Sequence, residues 1–415
     1  MKFLKELQDK QHEMLFAKGK PLEKLFPLFE AGDTFMLTPG EVTKGASHVR
    51  DGLDLKRMMM TVVVALMPCM LMAMYNTGYQ AFSAIEGGAL PLENWQTTLY
   101  HFLGWDYSSS SWFGCLLFGS FYYIPIYFVT MAVGGAIEGL FAVVRGHEIT
   151  EGFLVTGALF PLILPATTPL WQVAMGVAFG VIVAKEVFGG VGMNFLNPAL
   201  AGRAFLFFAY PAQVSGDKVW IAANTAVDGA SGATLLGVGA VHGMGVPGGT
   251  EGILNSGYTW MDAFLGFIPG SIGETSALFC IFGAVVLIAS GVGSWRTMAG
   301  CLAGSFVMSM ILSMADSTTN PMFGIPFYWH WVLGGFAFAA VFMATDPVSS
   351  AFTDKGKLIY GFFIGVMGIL IRVVNPAYPE GWMLAILFMN MVAPLIDHYI
   401  VKANIKRRGL RYAEK

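Results

Sequence analysis

Charged residues are scarce in this chain of 415 residues: Asp, Glu, Lys and Arg make up 12% of it, against about 25% in a typical soluble domain. Hydrophobic residues make up 55%, and the mean hydropathy is +0.61. This composition excludes a soluble globular protein and indicates an integral membrane protein. The net charge of −3 gives no basic surplus that would attract nucleic acid, so no nucleic-acid partner is expected.

Cysteine is also rare. The four cysteines are Cys69, Cys115, Cys280 and Cys301, and all of them lie inside apolar runs without C-x-x-C spacing. This pattern predicts buried free thiols and argues against an iron–sulfur cluster or a haem attachment site in this chain. The first 57 residues contain no apolar core of a signal peptide, so we expect membrane insertion to begin with the first span.

Ten apolar runs are long enough, or nearly long enough, to cross a bilayer. They are residues 58–75, 112–144, 153–165, 170–188, 200–211, 276–292, 298–315, 327–345, 358–374 and 382–401. The third and fifth runs are shorter than the roughly 20 residues that a full span needs, and both end at proline. We therefore expect an all-α polytopic membrane protein of about ten helices, in which these two are half-helices that end inside the membrane.

Basic residues concentrate at the two ends of the chain. The first 57 residues hold ten of them and the tail after Val401 holds six, so 16 of the 24 lie at the ends. Because cytoplasmic segments carry the excess of Lys and Arg, both termini are expected in the cytoplasm, which requires an even number of spans. Ten spans then place Arg145, Arg296, Lys355 and Lys357 at cytoplasmic loops and the interval 213–274 in the periplasm.

Two short motifs recur at one offset. Ala-Thr-Thr-Pro at 166–169 and Ala-Thr-Asp-Pro at 344–347 are 178 residues apart, and each is followed 28 residues later by Asn-Pro-Ala, at Asn197 and Asn375. Chance similarity is the alternative to an internal duplication. If the duplication is real, each half has five spans, so the halves are inverted. The expected organisation is a cytoplasmic extension 1–57, a first repeat 58–212, a periplasmic loop 213–274, a second repeat 275–401 and a cytoplasmic tail 402–415.

The polar interval between the halves contains Asp228, Gly229, Ala230, Ser231, Gly232, Ala233 and Thr234 in succession. Small residues surround one hydroxyl here, so a bulky group or a docking enzyme can approach Thr234 closely. By composition alone, a turn in a surface loop explains the same residues. Their order, however, resembles the flavinylation motif D-G-x-S-G-A-T, in which the threonine hydroxyl is joined by a phosphodiester to the phosphate of FMN.

Further stretches extend this resemblance to essentially the whole chain. The runs at 183–190, 194–203 and 344–348, the ten spans and the basic N-terminal extension look like the B subunits of bacterial sodium-translocating NADH:ubiquinone oxidoreductases. The resemblance implies a membrane component of a redox-driven sodium pump in the bacterial inner membrane. Such a protein carries covalent FMN, here on Thr234, and riboflavin, and it shapes the ubiquinone site.

The resemblance also implies partners. Electrons from NADH would pass through FAD, iron–sulfur centres and covalent flavins, yet this chain shows no NADH-binding domain with its glycine fingerprint, no FAD domain and no cysteine cluster. Five other subunits would supply those steps, and a flavin transferase would load the threonine. No metal is expected beyond the transported Na⁺.

Ionisable residues inside the apolar runs are the candidates for the sodium path, because a buried charge is costly and usually functional. Glu138, Asp346 and Asp397 offer the hard oxygen ligands that sodium prefers. A structural ion pair or an interfacial charge is the alternative for each of them. Arg203 and Arg372 are the expected partners of such carboxylates, whereas the adjacent Lys185 and Glu186 point to different sides and need not pair.

Uncharged residues are the candidates for the flavin and quinone sites. Asn194 and Asn197, with Pro198, lie at a predicted cytoplasmic break between helices, where amides can pair with the edge of an isoalloxazine ring. Capping of the next helix is the alternative. Gly134 and Gly135 permit close approach of a flat quinone or of another helix. The N-terminal residues alternate lysines with apolar side chains, which predicts a helix on the membrane surface that covers a quinone entrance.

Two other classes of protein remain open from the sequence. The homologous subunit of the ferredoxin:NAD oxidoreductase complex shares the fold and the flavin threonine, but it begins close to its first span. A secondary transporter without redox chemistry would also have inverted repeats.

Overall fold

A computed structural model of the chain describes residues 55–146, 152–214, 219–224, 233–240, 248–315, 317, 319–375, 378 and 380–413, with the isolated positions 10, 14, 26 and 29. Apart from those four positions, the predicted N-terminal surface helix falls outside the described residues. Residues 228–232 of the flavinylation motif also fall outside them. In the described part the chain is helical, apart from loops and one isolated β-bridge between Leu90 and Asn224. The all-α fold class is therefore confirmed.

The described helices are numbered in chain order. They are α1 (Leu55–Glu86), α2 (Trp95–Phe102), α3 (Trp112–Arg145), α4 (Gly152–Leu162), α5 (Leu170–Ala184), α6 (Pro198–Ala209), α7 (Pro211–Val214), α8 (Leu235–Ala240), α9 (Gly249–Asn255), α10 (Trp260–Leu265), α11 (Ala277–Ala289), α12 (Trp295–Ala315), α13 (Phe327–Val332), α14 (Phe336–Phe338), α15 (Asp354–Val374) and α16 (Trp382–Ala413). A 3₁₀ turn (Glu186–Phe188) follows α5, another (Pro321–Gly324) precedes α13, and a π-helical turn (Ala339–Met343) follows α14.

Six of the described helices are long and apolar enough to cross a membrane: α1, α3, α5 with its 3₁₀ turn, α12, α15 and α16. The shorter apolar helices α4, α6 and α11 have 11, 12 and 13 residues. All ten predicted runs thus contain helix, and the half-helix length expected of α4 and α6 is confirmed, since 12 residues span only about 18 Å.

Three features depart from the expected spans. Helix α1 continues past Tyr75 because the polar residues that end its apolar run have interior partners: Asn76 donates to the carbonyl oxygen of Ile268 at 2.9 Å, and Gln80 donates to Asn76 at 3.3 Å. Helix α2, which carries exposed Trp95, was not predicted. The run 327–345 was predicted as one span, and that is wrong, because it is broken between α13 and α14.

The break between α13 and α14 is held by one buried guanidinium. Gly334 adopts a positive φ of 60°, which interrupts the helix at a backbone conformation that favours glycine. Arg372 on α15 donates to the carbonyl oxygens of His330 and Leu333 at 3.0 and 3.1 Å. These bonds replace the helical partners that the carbonyls lose, which is the requirement for irregular backbone at membrane depth.

Three pairs of helices that contact each other in the first half have contacting counterparts in the second half. Helix α3 packs on α5 and α12 packs on α15; α5 packs on α6 and α15 packs on α16; α1 packs on α4 and α11 packs on α14. This correspondence supports the internal duplication that the recurring motifs predict. The inversion of the two halves stays a prediction that follows from their odd number of spans.

Glycine allows the second-half pair α12 and α15 to approach closely. A Cβ placed on Gly304 would collide with the carbonyl oxygen of Phe362, and one placed on Gly365 would collide with that of Cys301. Such reciprocal small residues are typical of helix contacts in membranes, where close backbone packing replaces the hydrophobic drive. The four cysteines are all buried and free, as the sequence predicts.

Candidate functional site

One cavity of about 70 Å³ lies where the N-terminal ends of α1, α4 and α6 meet the C-terminal end of α11 and the π-helical turn. Apolar side chains such as Leu159, Leu287 and Phe342 form part of its wall. The polar residues on the wall include Lys185, Asn194, Asn197 and Asp346, and Pro198 lies beside them. All three riboflavin candidates and one sodium-path candidate therefore meet here, and we call this space the asparagine cavity.

Lys185 connects the asparagine cavity to Glu138. Its Nζ lies 2.6 Å from Oε1 of Glu138 on α3, and the two side chains are only 3% and 4% exposed. The next residue, Glu186, pairs instead with Arg145 at 3.2 Å. The prediction that Lys185 and Glu186 do not pair with each other is thus confirmed, and Glu138 lies behind the lysine that lines the cavity.

The two asparagines have different local roles. The side-chain oxygen of Asn197 accepts hydrogen bonds from the backbone N–H groups of Ala199 and Leu200 at 3.0 and 3.3 Å, so it caps α6 with Pro198 at the first turn. Its Nδ2 has only the sulfur of Met343, at 3.8 Å, as a described partner. Asn194 donates to the carbonyl oxygen of Leu196 at 3.1 Å. Capping, the alternative weighed for Asn197, is therefore present, and the residue also lines the cavity.

Asp346 contributes a carboxylate to the same cavity from the second half of the chain. It accepts hydrogen bonds from the Ser349 hydroxyl at 2.5 Å and from the backbone N–H of Val348 at 3.3 Å. Among the described residues, no basic side chain forms an ion pair with it. Within the described part of the chain, the asparagine cavity thus has one carboxylate without a basic ion-pair partner.

A second, smaller cavity of about 10 Å³ lies beside Thr234. Its wall is formed by Thr234 and Leu236, by Ser271 and Glu274 of the segment before α11, and by residues that include Gly334, Thr275 and Glu380. The Thr234 hydroxyl oxygen accepts a hydrogen bond from the backbone N–H of Gly237 at 3.1 Å, so it caps the first turn of α8. The residue is half-buried, and we call this space the threonine cavity.

A buried charge cluster adjoins the threonine cavity. Arg203 on α6 donates to the Ser271 hydroxyl at 3.3 Å and lies 4.0 Å from the carboxylate of Glu274. Glu380 accepts from the backbone N–H of Gly335 at 3.3 Å. Burial raises the pKa of Glu274 to about 7, although the nearby Arg203 charge opposes that shift. This cluster joins the first half of the chain to the second through α6 and the segment before α11.

The two cavities are built from corresponding parts of the two halves. The asparagine cavity lies at the N-terminal ends of α1, α4 and α6. The threonine cavity lies just before α11, at the start of α14 and just before α16. In the predicted repeat these helices correspond to α1, α4 and α6, so the two cavities lie at matching positions of that repeat.

The ion pairs expected for Arg203 and Arg372 differ from those in the structure. Arg203 and Arg372 were expected to pair with Glu138, Asp346 or Asp397, and that is wrong, because Glu138 pairs with Lys185 and Arg203 pairs with Glu274. The reason is helix packing, because Arg203 lies beside the segment before α11 and Arg372 is bonded to the carbonyl oxygens of His330 and Leu333.

Asp397 and the two glycines lie outside both cavities. Asp397 accepts hydrogen bonds from the backbone N–H groups of Phe352 and Thr353, at 2.6 and 3.1 Å, and from the Thr353 hydroxyl at 2.6 Å. A Cβ on Gly134 would collide with the ring of Phe153, while Gly135 has only a distant contact with that ring. The sodium and quinone roles suggested for these residues stay predictions.

Comparison with known proteins places this geometry in a family. The model of the family described as NQR2, RnfD, RnfE matches residues 42–406. The chain belongs to the NQR2, RnfD, RnfE family. Every site candidate named above lies within the matched part of the chain.

Several bacterial relatives are similar over nearly their whole length. The chain is 55% identical over 398 residues to a protein of Chromohalobacter salexigens, covering 96% of this chain and 94% of that protein. It is 55% identical over 400 residues to one of Stutzerimonas stutzeri, with 95% and 96% covered. It is 54% identical over 420 residues to one of Klebsiella pneumoniae, with 98% and 99% covered. Each of these proteins is named as the B subunit of a Na(+)-translocating NADH-quinone reductase.

The sequence reasoning missed the cluster beside Thr234 in this family member. Ser271 and Glu274 end a polar interval that is typical of a periplasmic loop, yet they are 4% and 9% exposed. The apolar stretch at 264–268, just before them, was the available signal. It is too short for a membrane span, but it predicts that this part of the loop folds back into the protein interior.

Proposed function

We propose that this chain is the B subunit of a sodium-translocating NADH–quinone reductase, which passes electrons toward quinone and couples their passage to Na⁺ transport. The observation that carries the proposal is its identity of 53–55% to proteins of that name over nearly the full chain. The family model also covers the RnfD type of protein, but these relatives carry the reductase name. The chain itself holds no described cluster of metal ligands, so iron–sulfur steps fall to partner subunits.

The Thr234 hydroxyl is the proposed attachment point for FMN. It is half-buried, stands at the edge of a cavity and caps a helical turn of only six residues. Its oxygen accepts a hydrogen bond from the Gly237 N–H, and esterification replaces the hydroxyl proton, not this acceptor. At about 10 Å³ the cavity has room for about one water molecule, so the ring of an attached flavin would lie outside it. When attached, the flavin supplies one-electron and two-electron redox chemistry. A flavin transferase is the proposed maturation partner.

The asparagine cavity is the proposed riboflavin site. Its lining fits an uncharged ring: Asn194 and Asn197 share the wall with apolar side chains, which is the usual composition of a cofactor pocket. At about 70 Å³ the space is smaller than a three-ring flavin, so its wall must shift to admit one. Gly189, Gly190 and Gly192, all with positive φ, make the loop before Asn194 the element suited to that movement.

The proposed sodium path passes through the carboxylates of Glu138, Asp346 and Asp397, and the proposed quinone contact is at Gly134 and Gly135. Two positions support the sodium path: Asp346 lines the asparagine cavity, and Glu138 pairs with Lys185, which lines the same cavity. Phe153, which packs against Gly134 and lies 5.8 Å from the Lys185 ammonium, would transmit a change at the quinone contact to that cavity.

Five partner subunits, ubiquinone and Na⁺ complete the proposed complex, which lies in the bacterial inner membrane. To test the function, membranes of a strain that lacks the gene are compared with membranes complemented by the wild-type chain. We expect NADH–quinone reductase activity stimulated by Na⁺ only after complementation. Equal Na⁺ stimulation in both membranes would exclude the proposal.

The proposed topology predicts a labelling pattern. Because all four native cysteines are buried, background labelling is expected to be low. A membrane-impermeant thiol reagent added from the periplasm should modify Ser231→Cys but not Lys406→Cys. Modification of Lys406→Cys alone would overturn both the span count and the periplasmic placement of the flavin loop.

Replacement of Asp397 separates an ionic role from a capping role. Asp397→Ala is expected to raise the Na⁺ concentration for half-maximal turnover several-fold while leaving flavin content unchanged, because a hard anionic oxygen is lost. Asp397→Asn removes the charge but keeps one of the two oxygens that accept from the backbone N–H groups of Phe352 and Thr353. If Asp397→Asn had normal Na⁺ dependence, the carboxylate would be only a cap for α15.

A further inference from the structure

Helix α6 begins at a cap that its own sequence does not complete. Asn197 caps the helix with its side-chain oxygen, but the backbone N–H of the same residue lies before the first turn and needs an acceptor of its own. In a capping box, a Glu or Gln three residues later supplies that acceptor. Here that position is Leu200, whose side chain has no acceptor. Because Asn197 is only 4% exposed, the acceptor has to come from another part of the chain.

Asn390 on α16 supplies this acceptor. Its side-chain oxygen accepts the backbone N–H of Asn197 at 3.2 Å. Its Nδ2 donates to the hydroxyl oxygen of Tyr360 at 2.5 Å and to the carbonyl oxygen of Ile386 at 3.2 Å. Only this orientation of the amide satisfies both of its ends, because the opposite one sets the N–H₂ group against the N–H of Asn197.

The two second-half residues in this network are fully enclosed. Tyr360 on α15 is 0% exposed and Asn390 is 1% exposed, so water does not replace a partner that either of them loses. The Tyr360 hydroxyl holds the amide of Asn390, and that amide holds the N–H of Asn197. A buried donor without an acceptor is costly, so the network resists disruption. Two hydrogen bonds in series therefore connect α15 and α16 to the first turn of α6.

The network ends at the wall of the asparagine cavity. Asn197 lines that cavity, and it is bonded at its backbone N–H as well as at its side-chain oxygen. The wall must shift to admit a flavin, and the glycines with positive φ that allow such a shift precede Asn194. The wall is therefore fixed at Asn197, and its movement falls to the glycine loop.

We propose that Asn390 is a positioning residue of the riboflavin site and that Tyr360 holds it in place. Through the backbone of Asn197, Asn390 orders a residue that is proposed to meet the edge of the ring. Such preorganisation strengthens binding, because less conformational freedom is lost when the ligand enters. The inference rests on the proposed riboflavin site and adds to it two residues that lie outside the cavity wall.

Loss of the acceptor should release riboflavin. In the purified complex, Asn390→Leu removes every hydrogen bond of the amide at nearly unchanged volume. The rate at which riboflavin leaves on dilution is expected to rise about tenfold, because a buried N–H loses its partner. Riboflavin that stays bound is separated on a desalting column, released by denaturation and quantified against the amount of chain.

Tyr360→Phe tests the first link of the series. It keeps the acceptor for Asn197 but frees the amide of Asn390 from the hydroxyl, so a smaller increase in the release rate is expected. The double variant Asn390→Leu/Tyr360→Phe should release riboflavin no faster than Asn390→Leu, because the tyrosine acts through the asparagine.

Two further variants separate positioning from general damage. Asn390→Asp has the same shape and keeps an oxygen for the N–H of Asn197, so it should restore the release rate to near the wild-type value. A merely structural asparagine would give no such rescue. Tyr123→Phe removes a buried hydroxyl on α3 that has no described hydrogen-bond partner, and it should leave the release rate unchanged.

The outcomes decide between the inference and the site on which it rests. A wild-type release rate in Asn390→Leu overturns the inference, and so does fast release from an assembled Asn390→Asp complex. If Asn390→Leu does not assemble, Tyr360→Phe decides, and a wild-type rate in that variant overturns the inference. If Asn197→Ala holds riboflavin as the wild type does, the proposed riboflavin site itself has failed.

Discussion

Thr234→Val is expected to abolish the covalent flavin of this chain. Valine keeps the shape of threonine but lacks the hydroxyl, so no phosphodiester can form. The hydroxyl otherwise contributes one hydrogen bond, from Gly237, in a helix of six residues, so the fold should survive its loss. The measurement is flavin fluorescence of the denatured chain on a gel, with total chain quantified in parallel.

Thr250→Val is the matched control. Thr250 lies in the same interval between the two halves, and its buried hydroxyl has no described hydrogen-bond partner. The substitution is therefore isosteric and breaks no bond in the described structure. The control should keep full fluorescence, whereas a fluorescent band in Thr234→Val would remove the assignment of FMN to that residue.

Arg203→Met is expected to have the largest effect on stability. It leaves the carboxylate of Glu274 buried without its ion-pair partner, and such a loss typically costs about 3–5 kcal/mol. Because membrane complexes often unfold irreversibly, the appropriate measurement is the temperature of half-inactivation at a fixed heating time. Glu274→Gln should be milder, because Arg203 keeps the Ser271 hydroxyl and the nearby charge of Glu380, and a carboxyl with a pKa of about 7 is already partly protonated at neutral pH.

The pH dependence of this effect has a defined sign. The raised pKa means that folded Glu274 holds a proton that the unfolded chain releases between about pH 4.5 and about pH 7. Its contribution to stability is therefore present at low pH and lost as pH rises through that window. Without Arg203 the pKa rises further, so Arg203→Met should be more destabilised at pH 8 than at pH 6. An equal loss at both pH values would show that Glu274 is not the cause.

The membrane helices could be predicted from the sequence because hydropathy reports directly on apolar spans. The apolar runs became helices α1, α3, α5, α12, α15 and α16, and the two short runs became α4 and α6. Where polar residues have interior partners, hydropathy fails. The continuation of α1 past Asn76 and Gln80 was therefore not predicted from hydropathy. The break between α13 and α14, which Arg372 stabilises, was not predicted either.

The candidate sites were only partly visible for a related reason. A motif marks Thr234, and intramembrane charge marks Glu138 and Asp346, because both signals are local in the chain. Their partners are not local. Lys185 lies 47 residues from Glu138, and Glu274 lies 71 residues from Arg203, so the pairing depends on how helices pack. Arginines were accordingly assigned to the wrong carboxylates.

Transport of sodium driven directly by NADH oxidation is the central claim. The most direct measurement is NADH-driven ²²Na⁺ uptake by inside-out vesicles that contain the complex, in the presence of a protonophore. We expect uptake that persists with the protonophore and is absent from vesicles that lack this chain. Uptake that the protonophore abolishes, or that continues without the chain, would contradict the account.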